Sequence, residues 1–250
     1  MSLNTIKLRV DDVFAHQIVD EIGRCIVQEC QLKITYVNFH SMNTIHSNPE
    51  LANLLKNFDI VLPDGIALRT ARKIMNCNVG NHTVWRHFEG WSDLLYAEAI
   101  KKKWEIFLLG GVPRKAKDSA KNLAQMYPGI NISGEHHGYF SIGEKSEDII
   151  DRINKSGTKI LLVGMGQPLQ EEFIILNRHN INVNIVIAVG GYFDKTCNRA
   201  LAYPDWVTGT NLFWLYRLFK EPRRLWKRYS IGLIAFGIRC LSSKTEISSK

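Results

Sequence analysis

Apolar positions along the chain recur with two different periods, and the two alternate. Phe14, Ile18, Ile22, Cys25 and Ile26 carry the three-to-four-residue spacing of an amphipathic helix and predict one over residues 13–30. Residues 33–39 (KITYVNF) form a β-rich run; a polar loop and then a helix over 49–57 are expected after it. Residues 59–62 (DIVL) predict a buried strand broken at Pro63-Asp64-Gly65, with a helix from Ile66 towards Met75. A helix over 91–103 leads into the strand 104–109 (WEIFLL), which stops at Gly110-Gly111. A helix over 114–127 ends at Pro128-Gly129 and precedes a short strand over 130–135. Next come a helix over 146–155 and a strand over 159–163 (KILLV) that stops at Gly164-Met165-Gly166. A helix over 171–180 and a strand over 185–189 (IVIAV), stopping at Gly190-Gly191, complete the alternation.

Strand–glycine–helix units in succession predict an α/β fold, a Rossmann-like parallel sheet flanked by helices. In such sheets ligands bind beyond the carboxyl ends of the strands. A single glycine there can be a cheap strand terminator. Three strands ending in glycine and a fourth in Pro-Asp-Gly together direct attention to one edge.

The pattern changes near residue 211. Trp214, Leu215, Leu218, Leu225, Trp226, Tyr229, Ile231, Leu233, Ile234 and Phe236 are interleaved with Arg217, Lys220, Arg223, Arg224, Lys227 and Arg228. Pro222 breaks this run, and Glu221 is its single acid. The expected division is an α/β domain over 1–211 and a basic amphipathic helical appendage over 212–250. The formal charge of +8 in 250 residues favours an anionic partner: nucleic acid, an anionic membrane or a phosphorylated ligand. No helix-turn-helix, zinc-finger or RNP pattern accompanies the charge, so nucleic acid is not expected. Basic helices carrying Trp bind anionic headgroups, each Lys or Arg contributing about 1 kcal/mol near the surface. A helix packed on the body with a solvated basic face is the alternative.

The apolar run 231–238 is too short to span a bilayer, and the first residues lack a charged segment followed by an apolar one. A cytoplasmic protein, peripheral on the inner face of the membrane, is therefore expected. The 5 cysteines include no CxxC pair, which predicts neither a zinc ribbon nor a disulfide framework. Cys25 and Cys30 are expected as small packing residues.

Asp64, fixed by Pro63 and released by Gly65 after a buried strand, suits a general base aimed into a cleft. A turn or N-cap aspartate is the bland alternative. Gly164-Met165-Gly166-Gln167-Pro168-Leu169-Gln170-Glu171 lacks the third glycine of a dinucleotide fingerprint. It still suits backbone N–H groups approaching a diphosphate. Gln170 is a candidate for a nucleobase or sugar contact; Glu171 is a candidate for a contact or for a helix-start acid. Gly190-Gly191-Tyr192-Phe193-Asp194 repeats the pattern, with Asp194 placed for a ribose or sugar hydroxyl. Gly138-Tyr139-Phe140 is a weaker version with Tyr139 as the candidate. No Asp-x-Asp triplet occurs, and adjacent His136-His137 do not make a chelating pair. No metal or cofactor is expected, which leaves arginines or backbone amides to meet developing anionic charge.

Taken in order, these segments resemble the WecG/TagA/CpsF family (glycosyltransferase family 26). The likeness runs from about Lys33 to Tyr229, through VNFHSMN, LPDG (62–65), FLLGG (107–111), YPG (127–129), GYF (138–140), GMGQPLQEEF (164–173), GGYFD (190–194) and WLYRLFKEPRRLWKRY (214–229). The resemblance implies an inverting, metal-independent glycosyltransferase. Its donor would be a UDP-sugar and its acceptor an undecaprenyl-diphosphate-linked sugar, in cell-surface polysaccharide synthesis. It implies Asp64 as the base, Asn38 on the acceptor side, donor contacts at Gln170 and functional arginines at Arg217, Arg223, Arg224 and Arg228. Gly65, Gly110, Gly111, Gly164, Gly166, Pro168, Gly190 and Gly191 complete the expected substrate site. The chain departs from the family pattern at Tyr36-Val37-Asn38, at Gly90-Trp91-Ser92-Asp93-Leu94, at Ala202-Tyr203-Pro204 and at Leu212-Phe213-Trp214. These departures leave N-acetylmannosamine, a hexose or a hexuronic acid open as the donor sugar. A non-catalytic, membrane-peripheral nucleotide-binding scaffold is the alternative function, and a homo-oligomer is left open.

Overall fold

Strands covered on both faces read as unbroken apolar runs, because neither set of alternating side chains meets water. The computed structural model describes residues 8–74, 88–140, 144–197, 213–242 and 247–249, and its central strands fit that rule. In chain order the elements begin β1 (Leu8–Val10), α1 (Ala15–Val27), β2 (Leu32–Val37), α2 (Phe39–Ser47), α3 (Glu50–Leu55), β3 (Ile60–Pro63) and α4 (Ile66–Ile74). After a 3-10 turn (Phe88–Gly90) come α5 (Ser92–Lys102), β4 (Glu105–Gly110), α6 (Lys115–Met126), β5 (Asn131–His136) and α7 (Glu144–Lys155). Then follow β6 (Ile160–Gly164), α8 (Leu169–Leu176), β7 (Ile185–Ala188) and the short α9 (Tyr192–Thr196). The appendage holds α10 (Phe213–Lys220), α11 (Pro222–Tyr229) and α12 (Ile231–Ser242), before β8 (Ile247–Ser249).

Six strands form one sheet in the order β3-β2-β7-β6-β4-β5, and every pairing in it is parallel. β1 and β8 form a separate parallel pair. Asp11, just past β1, is tied to β3: its N–H donates to Val61 O at 2.8 Å, and Val61 N–H donates to Asp11 Oδ2 at 2.8 Å. Period-two alternation then sorts the core. Phe107, Leu109, Leu161, Val163, Val186 and Ala188 face the layer of α2, α3, α4, α7, α8 and α12. Ile106, Leu108, Ile160, Leu162, Ile185 and Ile187 face the layer of α1, α5 and α6. The expected Rossmann-like parallel sheet flanked by helices is the fold.

Three local expectations need correction. The polar loop expected after β2 is helix α2. Asn38 caps it, accepting at Oδ1 from His40 N–H (3.0 Å) and Ser41 N–H (3.1 Å), while Asn38 N–H donates to Ser41 Oγ at 3.0 Å. Phe39 and Ile45 supply its buried face. The helix expected over 171–180 runs over Leu169–Leu176 and is closed by Asn177, whose Nδ2 donates to Phe173 O at 2.8 Å. Cys25 is buried as a packing residue would be, but it is also disulfide-bonded to Cys30 across the end of α1.

Arg72 of α4 is wholly buried and makes a bidentate pair with Asp12, at 2.8 and 2.6 Å, which fastens α4 to the segment after β1. The appendage docks on α2. Phe39 lies 5.7 Å from the Tyr229 ring and 6.2 Å from that of Phe236. Asn43 Nδ2 donates to Gly232 O at 2.6 Å, and Arg239 donates to Asn43 Oδ1 at 2.5 Å. Phe236 is buried there, while Ile231, Ile234 and Ile238 of α12 stay 60–65% exposed. Among the described residues no helix is long and apolar enough to cross a membrane.

Candidate active site

Because the six strands are parallel, their carboxyl ends share one edge. Pro63-Asp64-Gly65, Gly110-Gly111, Gly164-Met165-Gly166 and Gly190-Gly191 all fall on it. The chain leaves β4 outward to β5 and leaves its neighbour β6 the other way, to β7, so the two connections diverge and open a crevice between them.

Asp64 is partly buried at the end of β3. Its N–H donates to Val37 O at 2.8 Å, which extends the β2–β3 ladder by one residue. Asn38 Nδ2 donates to Asp64 Oδ2 at 3.1 Å. This orientation of the Asn38 amide follows from the cap: Oδ1 is taken by the two α2 N–H groups, which turns the donor end towards Asp64. The resemblance implies an acceptor-side role for Asn38, and in the structure its amide lies on the Asp64 carboxylate.

A buried polar chain runs on from Asn38. Ser41 Oγ donates to Gln167 Oε1 at 2.5 Å, and Gln167 Nε2 donates to Tyr36 O at 2.9 Å and to Glu171 Oε1 at 3.0 Å. Glu171 Oε1 also accepts from Thr35 Oγ1 at 2.9 Å and from Gln170 Nε2 at 2.9 Å. Gln170 Oε1 accepts from Gly190 N–H at 3.0 Å. Gln170 and Glu171 are both wholly buried, so Gln170 joins the ends of β6 and β7 from inside. Burial pushes the Glu171 carboxyl up to about 7; hydrogen bonds from Gln170, Gln167 and Thr35 hold it back from rising further.

The glycines divide into two kinds. A Cβ on Gly110 would stand 2.3 Å from Gly164 O, one on Gly164 would meet Phe193 and Gly190 O, and one on Gly190 would meet Tyr36 Oη. These three let neighbouring strand ends and side chains close on one another. Gly111 N–H donates to Gly164 O at 3.0 Å, and Gly138 N–H donates to Gly111 O at 2.9 Å, which draws the loop after β5 over the crevice. Gly65 and Gly166 differ: both have positive φ, and a Cβ on either would meet nothing within 4 Å. Their backbones border open space beside Asp64 and Gln167.

Asp194, on α9, forms an ion pair with Lys115 at the start of α6; Lys195 pairs with Glu89. Lys115 lies over Gly111, where a Cβ would stand 2.9 Å from its own Cβ. Gly191 is exposed at the head of α9. Pro168 precedes α8. Tyr139 is 68% exposed on the loop after β5. His136 and His137 stack at 4.3 Å, and among the described residues no three His, Cys, Asp or Glu side chains group as metal ligands. Arg223 is exposed on α11, whereas the side chains of Arg217, Arg224 and Arg228 lie outside the described residues, as do Ala202 and Leu212. Sequence reasoning missed Gln167, Ser41, Thr35 and Lys115. An Asn38–Ser41 capping pair was the one local signal that could have found Ser41.

Comparison with known proteins supplies the context for this edge. The sequence matches the family described as "Glycosyl transferase WecG/TagA/CpsF family" over residues 3–250. A Shigella boydii protein named UDP-Gal:alpha-D-GlcNAc-diphosphoundecaprenol beta-1,4-galactosyltransferase is 32% identical over 214 residues, 84% of this chain and 85% of its own. A Bacillus subtilis (strain 168) N-acetylglucosaminyldiphosphoundecaprenol N-acetyl-beta-D-mannosaminyltransferase is 30% identical over 193 residues, 72% of each chain. A Bacillus spizizenii protein of the same name is 28% identical over 181 residues, 72% of this chain and 68% of its own.

Proposed function

The chain belongs to the WecG/TagA/CpsF family and is a glycosyltransferase, and from that premise we propose that it moves a sugar from a UDP-sugar to N-acetylglucosaminyl-diphosphoundecaprenol, with inversion and without a metal. The observation that carries the reading is Asp64. It is a carboxylate at a strand end, bonded by Asn38 and followed by Gly65, whose Cα borders open space. The relatives named above share their acceptor and differ in their donor sugar, so the acceptor is the part that transfers by likeness.

In the reaction Asp64 takes the proton of an acceptor hydroxyl as that oxygen attacks the anomeric carbon. The bond to the diphosphate breaks with its electron pair leaving on UDP. Attack opposite the leaving group inverts the anomeric centre. Lys115, held by Asp194 above Gly111, and the backbone of the half-buried turn at Gly166 are the groups this reading assigns to the diphosphate. Exposed Trp226, Ile231, Ile234 and Ile238, with Arg223 and Lys227, form the surface it assigns to the anionic membrane.

The test incubates the protein with UDP-galactose, UDP-N-acetylmannosamine and UDP-glucuronic acid in turn, with the lipid-diphosphate acceptor. Product mass identifies the sugar and NMR the anomeric configuration. Asp64→Asn is expected to lower turnover by about 10²- to 10⁴-fold while leaving UDP binding in place. Undiminished turnover in that variant removes Asp64 as the base. UDP binding with no transfer from any donor by the wild type favours the scaffold instead.

A further inference from the structure

We propose that Gln167 is a positioning residue for the transfer reaction, bracing through Ser41 the head of α2 from which the Asn38 amide reaches Asp64. The inference rests on the reading of Asp64 as that base.

Gln167 joins two parts of the edge that are far apart in sequence. On one side its Oε1 accepts from Ser41 Oγ at 2.5 Å. On the other its two amide protons are both used, on Tyr36 O at 2.9 Å and Glu171 Oε1 at 3.0 Å. The directions are forced. Tyr36 O can only accept, so the amide nitrogen must face it and the oxygen must face Ser41. Ser41 Oγ accepts the Asn38 N–H at 3.0 Å, and its single proton faces two acceptors, Gln167 Oε1 at 2.5 Å and Asn38 Oδ1 at 3.2 Å, of which Gln167 is much the nearer. Asn38 Oδ1 is held by the N–H groups of His40 and Ser41, so its Nδ2 has one way to point, at Asp64 Oδ2.

Hydrogen bonds thus connect Glu171 through Gln167 and Ser41 to Asn38 and the carboxylate. Ser41 and Glu171 are both 0% exposed and Asn38 is 5% exposed, while Gln167 and Asp64 are half-buried, so the chain runs from the interior to the edge of the site. Gln167 directly follows Gly166, whose Cα borders open space. The Gly166 turn has a hold of its own, Gln170 N–H on Gly166 O at 3.0 Å, so the effect of the Gln167 amide is on the side of the base. Without it, Asn38 keeps its cap but loses the brace that holds the head of α2 against the end of β6.

The experiment is a double-mutant cycle on the full chain. Gln167→Met keeps the length of the side chain and removes its hydrogen bonds. Transfer is measured with saturating donor and acceptor, and UDP binding by calorimetry. The expected result is a kcat lower by about 10- to 100-fold, the cost of a misplaced catalytic group, with the KM for donor and the UDP affinity nearly unchanged. In an Asn38→Ala background the same substitution should lower kcat no further, because the route to Asp64 is already cut. Ser41→Ala, which cuts the route on the other side of the contact, should give a loss of similar size and stands in where Gln167→Met does not fold. An unchanged kcat in Gln167→Met, or equal losses with and without Asn38, overturns the proposal. Asp64→Asn run alongside separates the two readings: if it is inactive while Gln167→Met is not impaired, the positioning role alone fails; if it is fully active, the base assignment fails first.

Discussion

Glu171 offers the sharpest thermodynamic test of the buried network. The side chain is wholly buried, its Oε1 accepts three donors, and its Oε2 meets no partner among the described residues. Burial raises its pKa from 4.5 to about 7. Between those values the folded chain holds a proton that the unfolded chain has released. Stability therefore falls as pH rises from 4.5 to 7 and is flat beyond, where both forms are ionised. The interval corresponds to on the order of 3 kcal/mol. Glu171→Gln preserves the shape and one acceptor oxygen but does not titrate. Other carboxylates bend the wild-type curve too, so the quantity to measure is the difference between the two proteins by urea unfolding at pH 4.5, 6, 7 and 8. The variant should gain on the wild type by about 3 kcal/mol between pH 4.5 and 7 and then hold level. A difference that stays constant across the range refutes the idea that a buried carboxyl titrates there.

The two kinds of glycine give opposite outcomes. Gly110→Ala forces a Cβ to 2.3 Å from the Gly164 carbonyl and should cost at least about 3 kcal/mol or abolish folding, whereas Gly166→Ala meets no atom and should cost only about 1–2 kcal/mol from its positive φ; thermal melts compare them. Asp12→Ala strands the buried Arg72 guanidinium and should cost about 3 kcal/mol in chemical denaturation, and a loss under 1 kcal/mol contradicts the ion pair's structural role. Trp226→Ala with Ile234→Ser, at exposed positions, should leave the melting temperature within a few degrees but release the protein from sedimenting anionic vesicles; undiminished sedimentation removes α11 and α12 as the docking surface.

The sheet was legible because doubly covered strands need continuous apolar runs and because glycine and proline mark where they stop; 160–163 and 185–188 could hardly be anything else. Helix α2 was not. Its sequence FHSMNTIHS is half polar, and only the Asn38 cap and the spacing of Phe39 and Ile45 reveal it. Asp64 stood out by punctuation and Asn38 was named only through the resemblance; their contact was not legible, since Asn38 lies 26 residues earlier and meets Asp64 only through β2–β3 pairing. Ser41 and Gln167 are separated by 126 residues and touch only because β6 and β2 flank β7 in the sheet. Gln170 read as a nucleobase or sugar contact, and Glu171 as either a contact or a helix-start acid. Their burial becomes visible only once α8 lies over Thr35, on the face of the sheet that the β2 alternation assigns to it. The appendage was legible as basic and amphipathic, while its seat on α2 rests on contacts with Phe39 and Asn43 that no periodicity encodes.

The proposed function asks one fold to provide both a membrane-facing surface and a strand-end base, and that seat links the two elements it would use. In a lipid-diphosphate-sugar the hydroxyl to be activated is separated from the polyprenyl chain by little more than the diphosphate, so the base has to lie close to the membrane plane. Helix α2 meets that requirement within its own length, about 14 Å for 9 residues. Asn38 at its head binds Asp64; Phe39 and Asn43, within the next turn and a half, bind the appendage. Phe236 faces inward from α12 and Ile231, Ile234 and Ile238 face outward, as their spacing around a helix requires. The same apolar face carried on α1 would lie across the sheet, with the central strands between it and Asp64. Placed on α2, it is joined to the carboxylate through one helix, which carries Asn38 at its head and Phe39 and Asn43 against the appendage.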